Sequence, residues 1–125
     1  MVKRLVFLAL AVTVLGSLRA EAGQDYRGKV KLTIQSPFMC AQQHFHIPGT
    51  AENQSTVILA RVRIKGAAFE RDNRLLSTAF GRVFSRELKP GDVAAFDVEF
   101  LDIVGPDIQK VKDYKVEVVE AVAKP

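Results

Sequence analysis

From about residue 29 to residue 122 the apolar residues of this chain recur at every second position. That pattern constrains the fold more than any other feature. A side-chain period of two belongs to a β-strand with one face in a core and the other toward water. KVKLTIQ (29–35) sets Val30, Leu32 and Ile34 against polar neighbours. HFHIPG (44–49) sets Phe45 and Ile47 against His44 and His46. STVILARVRIKGAAF (55–69) is rich in β-branched residues, with Val62 and Ile64 opposite Arg61, Arg63 and Lys65. LLSTAFGRVFSREL (75–88) is extended, and Gly81 in its middle predicts a bulge or bend. VAAFDVEFLDI (93–103) turns Phe96, Val98 and Phe100 inward and Asp97, Glu99 and Leu101 outward. YKVEVVEAV (114–122) does the same with Tyr114, Val116 and Val118 against Lys115 and Glu117.

The joints carry turn chemistry. In RDNR (71–74), Asp72 and Asn73 tolerate positive φ. LKPGD (88–92) reads as a type II turn, Pro90 preset for its first corner and Gly91 for the positive φ of its second. Gly105-Pro106-Asp107 predicts a single helical turn with Ile108 and Val111 on one side. With six or seven short strands, no long amphipathic helix and no repeat, the expected fold is all-β: an immunoglobulin-like antiparallel β-sandwich. The chain has no Trp, so the Cys…Trp…Cys signature of antibody domains is absent and the likeness is one of architecture.

The first 22 residues read as a cleavable signal peptide. Lys3 and Arg4 precede an apolar run, LVFLALAVTVLG (5–16), and Ala20-Glu21-Ala22 is a small-x-small cleavage pattern. The run is shorter than the roughly 20 residues of a membrane-spanning helix. Cleavage leaves 103 residues, 23–125, expected to form one domain with its core at about 29–122. Losing Lys3, Arg4, Arg19 and Glu21 lowers the formal net charge from +4 to +2. The remaining basic residues alternate with acids, which argues against nucleic acid as a partner. The expected location is bacterial and exported, either periplasmic or secreted. A lone Cys40 closes no disulfide within the chain, and such a thiol is buried, bound or open to an intermolecular bond.

IPGTAENQSTVILARVRI is similar to the opening of the extracytoplasmic domains called FxLYD, through Gly49, Asn53, Ser55, Val62 and Ile64. ELKPGDVAAFDVEF matches their "L-x-P-G-x-x-x-x-F-x-v" through Leu88, Pro90, Gly91, Phe96 and Val98, and DYKVEVVE resembles their closing strand. Where that family carries F-x-L-Y-D, this chain has Gly66-Ala67-Ala68-Phe69-Glu70, and Asn73 stands for the usual turn glycine. The resemblance implies an immunoglobulin-like fold and an accessory role in the cell envelope, without implying any chemistry.

No catalytic constellation is legible. The two histidines share one strand face, no Gly-x-Ser-x-Gly elbow occurs, and Asp97 with Glu99 reads as solvated pairing to Lys and Arg of adjacent strands. The chain is therefore expected not to be an enzyme and to need no cofactor. Asn53-Gln54-Ser55 fits the glycosylation sequon, but an Asn ending a strand and bonding its own turn is the preferred reading. Arg61, Arg63 and Lys65 form a stripe that reads as a solvated, paired sheet face, with an anionic surface as the alternative.

PFMCAQQHFHIPG (37–49) gathers the thiol, both imidazoles and a thioether. Met39, Cys40, His44 and His46 are the donors that Cu(I) and Zn(II) prefer. The preferred reading places two outward, solvated histidines on a strand beside a loop that holds Cys40 apart, with no metal. The functional expectation is an exported, non-catalytic module that binds a protein or other envelope component. The alternative is a periplasmic copper- or zinc-binding protein using Cys40, His44 and His46, with Met39.

Overall fold

The structure, a computed structural model, describes residues 25–125, so the expected signal peptide at 1–22 lies outside the described residues. The fold is all-β and antiparallel, as the alternation predicts. Seven strands occur among the described residues: β1 (Val30–Ile34), β2 (Phe38–Met39), β3 (His44–Asn53), β4 (Leu59–Phe69), β5 (Leu75–Val83), β6 (Val93–Val104) and β7 (Asp113–Ala123). They form one sheet in the order β1-β3-β6-β5-β4-β7, with β2 paired to β3.

The sheet bends at β5, which changes partner along its length. Its first part pairs with β4 as far as Ile64↔Gly81, and its last part, Gly81–Val83, pairs with β6. Gly81 belongs to both ladders, the corner that a mid-strand glycine suggests. β4 and β6 consequently face each other across the core. A Cβ on Gly66 of β4 would lie 2.7 Å from a Val98 methyl of β6 and 3.0 Å from the Phe100 ring. At the far side a backbone bond from Tyr26 N to Ala121 O, 3.2 Å, links the segment just before β1 to β7, so the sheet is nearly barrel-like.

The core follows the alternation. Phe45, Ile47, Ile64, Phe96, Val98 and Phe100 are buried, joined by Leu59, Ala68, Leu88 and Ile103. Two strands depart from the expected phase. Ile34 is 41% exposed, because it ends an edge strand. In β7 the ladder steps from Arg63↔Glu120 to Ile64↔Val118, so a bulge at Val119 shifts the phase and Ala121 becomes the buried residue.

Some boundaries move for a visible reason. The strand expected from residue 55 starts at Leu59, because 54–58 is held as a connector by Asn53. This side chain is wholly buried. Its Oδ1 accepts from Ser55 N at 2.9 Å and Ser55 Oγ at 2.6 Å, and its Nδ2 donates to the carbonyls of Val57 and Leu88, both at 2.8 Å. Both amide hydrogens are used internally, so Asn53 bonds its own turn, as the preferred reading of the sequon has it. Leu88 in turn exchanges two backbone bonds with Leu59. The turns match expectation: Asp92 N bonds Lys89 O with Gly91 at φ 85°, and Asp72 and Asn73 take φ of 59° and 58°. Residues 105–110 form the expected helical turn, and Ile108 and Val111 pack on the core.

Replacing Asn53 by Ala removes four buried hydrogen bonds, leaves Ser55 N without its acceptor and empties part of the core, and is expected to cost at least about 2 kcal/mol. Gly49→Ala is expected to cost about 1–3 kcal/mol, because its Cβ would overlap the Thr33 carbonyl oxygen and sit 2.6 Å from the Phe96 ring. Gly28→Ala, with open space around it, should leave the urea midpoint nearly unchanged. Equilibrium urea unfolding of the three variants checks all of these.

Candidate metal centre

Alternation along β6 buries Phe96, Val98 and Phe100, which forces Asp97 and Glu99 onto the outer face. β3 pairs with β6 so that His46 lies opposite Glu99 and Pro48 opposite Asp97. The acids therefore meet the histidines of β3. Nδ1 of His46 lies 2.7 Å from Asp97 Oδ2, and its Nε2 lies 3.3 Å from Glu99 Oε2. Nδ1 of His44 lies 3.0 Å from the same Glu99 oxygen. This corrects two expectations. The acids pair with imidazoles rather than with Lys and Arg, and His46 is not solvated: it is 7% exposed.

The cover over His46 comes from the stretch read as a loop. Phe38 and Met39 form β2 and pair with His46 and Phe45. Cys40 N bonds His44 O at 3.1 Å, Gln43 N bonds Cys40 O at 2.8 Å, and Gln43 takes φ 65°. This is a hairpin with a three-residue loop, whose last position is left-handed and most often glycine. The hairpin lays the Phe38 ring on the His46 ring, with centroids 4.7 Å apart and planes 12° from parallel. It also folds Cys40 back over the face. Cys40 Sγ, a ring nitrogen of His46 and a carboxylate oxygen of Glu99 all lie within 4.8 Å of one another.

The thiol and imidazole thus converge, contrary to the expected separation. Two of the four residues singled out, Cys40 and His46, belong to the cluster. His44 joins it only through Glu99, and Met39, paired with Phe45 and 54% exposed, stands apart. The spacing of the acids was visible in the sequence, but their membership depended on the β3–β6 register. The basic stripe disperses as its preferred reading expects. Arg61 Nε lies 3.3 Å from Glu120, Lys65 is opposite Glu117, and Arg63 lies 4.3 Å over the Phe80 ring.

In the neutral tautomer that donates Nδ1–H to Asp97 Oδ2, Nε2 is the ring position left with a lone pair, 3.3 Å from Glu99 Oε2. That Nε2 is buried without a hydrogen bond, as is Asp97 Oδ1. Burial of the ring opposes its charged form, but the Asp97 bond and the nearby Cys40 outweigh it and hold the His46 pKa above its ordinary value. Slight desolvation raises the Cys40 thiol, while the His44 backbone N–H and the His46 ring outweigh it and bring the pKa down. The cluster can present a thiolate, an imidazole nitrogen and a carboxylate to one point. Comparison with family models, with curated proteins and with solved structures returned no match.

A histidine whose folded pKa is raised contributes stability that is full below its unfolded value near 6.5 and is lost as pH rises through the folded pKa. Asp97, Glu99, Cys40 and Phe38 are the groups packed on this ring. In metal-free protein, Asp97→Asn should lower the His46 pKa and flatten stability against pH above about 6.5. NMR titration of the ring proton, with urea midpoints at matched pH, measures both.

Proposed function

We propose that this chain is an exported, non-catalytic binding module of the bacterial cell envelope, of the FxLYD, immunoglobulin-like kind, that engages a protein partner through the outer face of β3, β6 and β5. The observation that carries this reading is the gathering of large exposed apolar side chains on that face. Phe38 is 47% exposed, Phe80 58%, Phe84 63% and Leu101 67%. Phe80, Phe84 and Leu101, with Arg82, Asp97 and Glu99, line a hollow of about 320 Å3. Exposed aromatics around a polar-floored hollow are what a partner's apolar anchor engages.

Support for the immunoglobulin-like reading lies in two strand groups that face each other across one core and in the order of turn residues along the chain. The basic n-region, the apolar run and Ala20-Glu21-Ala22 support export to the periplasm or beyond. The non-catalytic reading draws on electrostatics. Acyl transfer from Cys40 would build an oxyanion beside Glu99, and that carboxylate repels the charge an enzyme must stabilise.

Phe80→Ser combined with Phe84→Ser and Leu101→Ser should reduce capture of the partner from envelope extracts at least tenfold. Val122→Ser, on β7, should leave it unchanged. Equal capture by wild type and the triple variant would overturn the docking face. The envelope fraction should hold the protein with Gly23 at its N-terminus; a retained Met1 there would contradict cleavage, and recovery only from the cytoplasm would contradict export.

A further inference from the structure

We propose that Cys40, His46 and Glu99 form a zinc site on this face, with Asp97 fixing the imidazole from behind. The argument begins with His46. Its side chain is nine-tenths buried, yet Nε2 has no hydrogen bond of good geometry and only Glu99 Oε2 nearby at 3.3 Å, while Nδ1 is committed to Asp97. A buried nitrogen without a hydrogen bond costs free energy, and an ion between Nε2 and the Glu99 carboxylate would satisfy both. A carboxylate on Nδ1 is the arrangement that sets an imidazole to ligate through Nε2 and raises its basicity.

The other donors stand where a metal on Nε2 would need them. Cys40 Sγ and a Glu99 oxygen lie within 4.8 Å of a His46 ring nitrogen and of each other, and Glu99 Oε2 lies 3.3 Å from Nε2 itself. Bonds of about 2.3 Å to sulfur and about 2.0 Å to nitrogen and oxygen put two tetrahedral ligands roughly 3.3–3.8 Å apart. Glu99 Oε2 already stands at that spacing from Nε2, and the widest gap in the set has to close by about 1 Å. Rotation of the Cys40 side chain on its loop supplies that closure, while His46 stays fixed between Phe38 and Asp97.

The donor set selects the ion. A thiolate and an imidazole disfavour Mg2+ and Ca2+, which take oxygen ligands. A carboxylate in place of a second soft ligand favours Zn2+ over Cu+, and Met39, the thioether that Cu+ would use, pairs on the opposite side at Phe45. Thiolate and carboxylate together balance a divalent charge. Three protein ligands leave the fourth position to water or to a donor from the bound partner. The site does not depend on the docking reading, since its ligands are distinct from Phe80, Phe84 and Leu101.

Titration of the purified full chain with Co2+ and Zn2+ tests the site. One equivalent of Co2+ should give a thiolate-to-cobalt charge-transfer band with tetrahedral d–d absorption, bleached by one equivalent of Zn2+. Cys40→Ser should abolish the band. Glu99→Gln and His46→Gln should each weaken Zn2+ at least tenfold, Asp97→Asn by 10–100-fold, and Met39→Leu not at all. Circular dichroism of the metal-free variants separates a lost site from a lost fold, and the half-exposed Glu99 provides a variant that leaves the core untouched. Absence of the band, its full retention in Glu99→Gln and Asp97→Asn, or tight binding of Cu+ but not Zn2+ would each overturn the assignment.

Discussion

The inward stripe of β6 is the constraint on which the rest of the structure depends. Phe96, Val98 and Phe100 are at most 1% exposed, and three neighbouring strands yield a Cβ to admit them. Gly49 of β3 makes room for the Phe96 ring, Gly66 of β4 for Val98 and Phe100, and Gly81 of β5 for Val98. Close packing of this kind fixes the depth and register of β6 against its neighbours, because a slip of one residue would bring Asp97 and Glu99 into the core. The same packing thereby fixes where those two acids stand outside it.

Function-bearing chemistry is the outward image of that core. Phe96, Val98 and Phe100 of β6 are separated by Asp97 and Glu99, and Phe45 of β3 lies between His44 and His46. Pairing two such strands antiparallel sets a row of carboxylates against a row of imidazoles with no dedicated loop. The β2–β3 hairpin then adds the thiol and a ring to cover it. The rigid elements hold His46 and Asp97, and the more exposed Cys40 and Glu99 retain freedom to move. A binding centre with one fixed and two adaptable ligands is the result.

Much of the fold was legible in the chain. The alternation named Phe45 and Ile47 of β3 and Phe96, Val98 and Phe100 of β6 as buried, Gly81 marked a bend, and Pro90-Gly91 and Asp72-Asn73 announced their turns. What escaped was non-local or unsignalled. The hairpin after Cys40 turns on Gln43 at φ 65°, where a glycine or asparagine would have revealed it, so the stretch read as a connector. His46 read as solvated because its cover, Phe38, is brought to it only by that hairpin. Asp97 and Glu99 could be assigned to the outer face but not to the histidines, since the β3–β6 register is a property of the folded sheet. The phase slip at Val119 rested on no more than the doubled Val118-Val119 between Glu117 and Glu120, which a straight alternation passes over.

The central claim is that the hairpin carries Cys40 onto the imidazole of His46, and the nuclear Overhauser effect between them tests it most directly. In metal-free protein at neutral pH, the account predicts cross-peaks linking the Cys40 Hβ protons to the His46 Hε1 proton, and the Phe38 ring to the His46 ring. A Cys40 amide protected from exchange by its bond to His44 O should accompany them. Cross-peaks from Phe38 alone, with a freely exchanging Cys40 amide, would contradict it: the strand would then carry its histidines, and the thiol would stand apart.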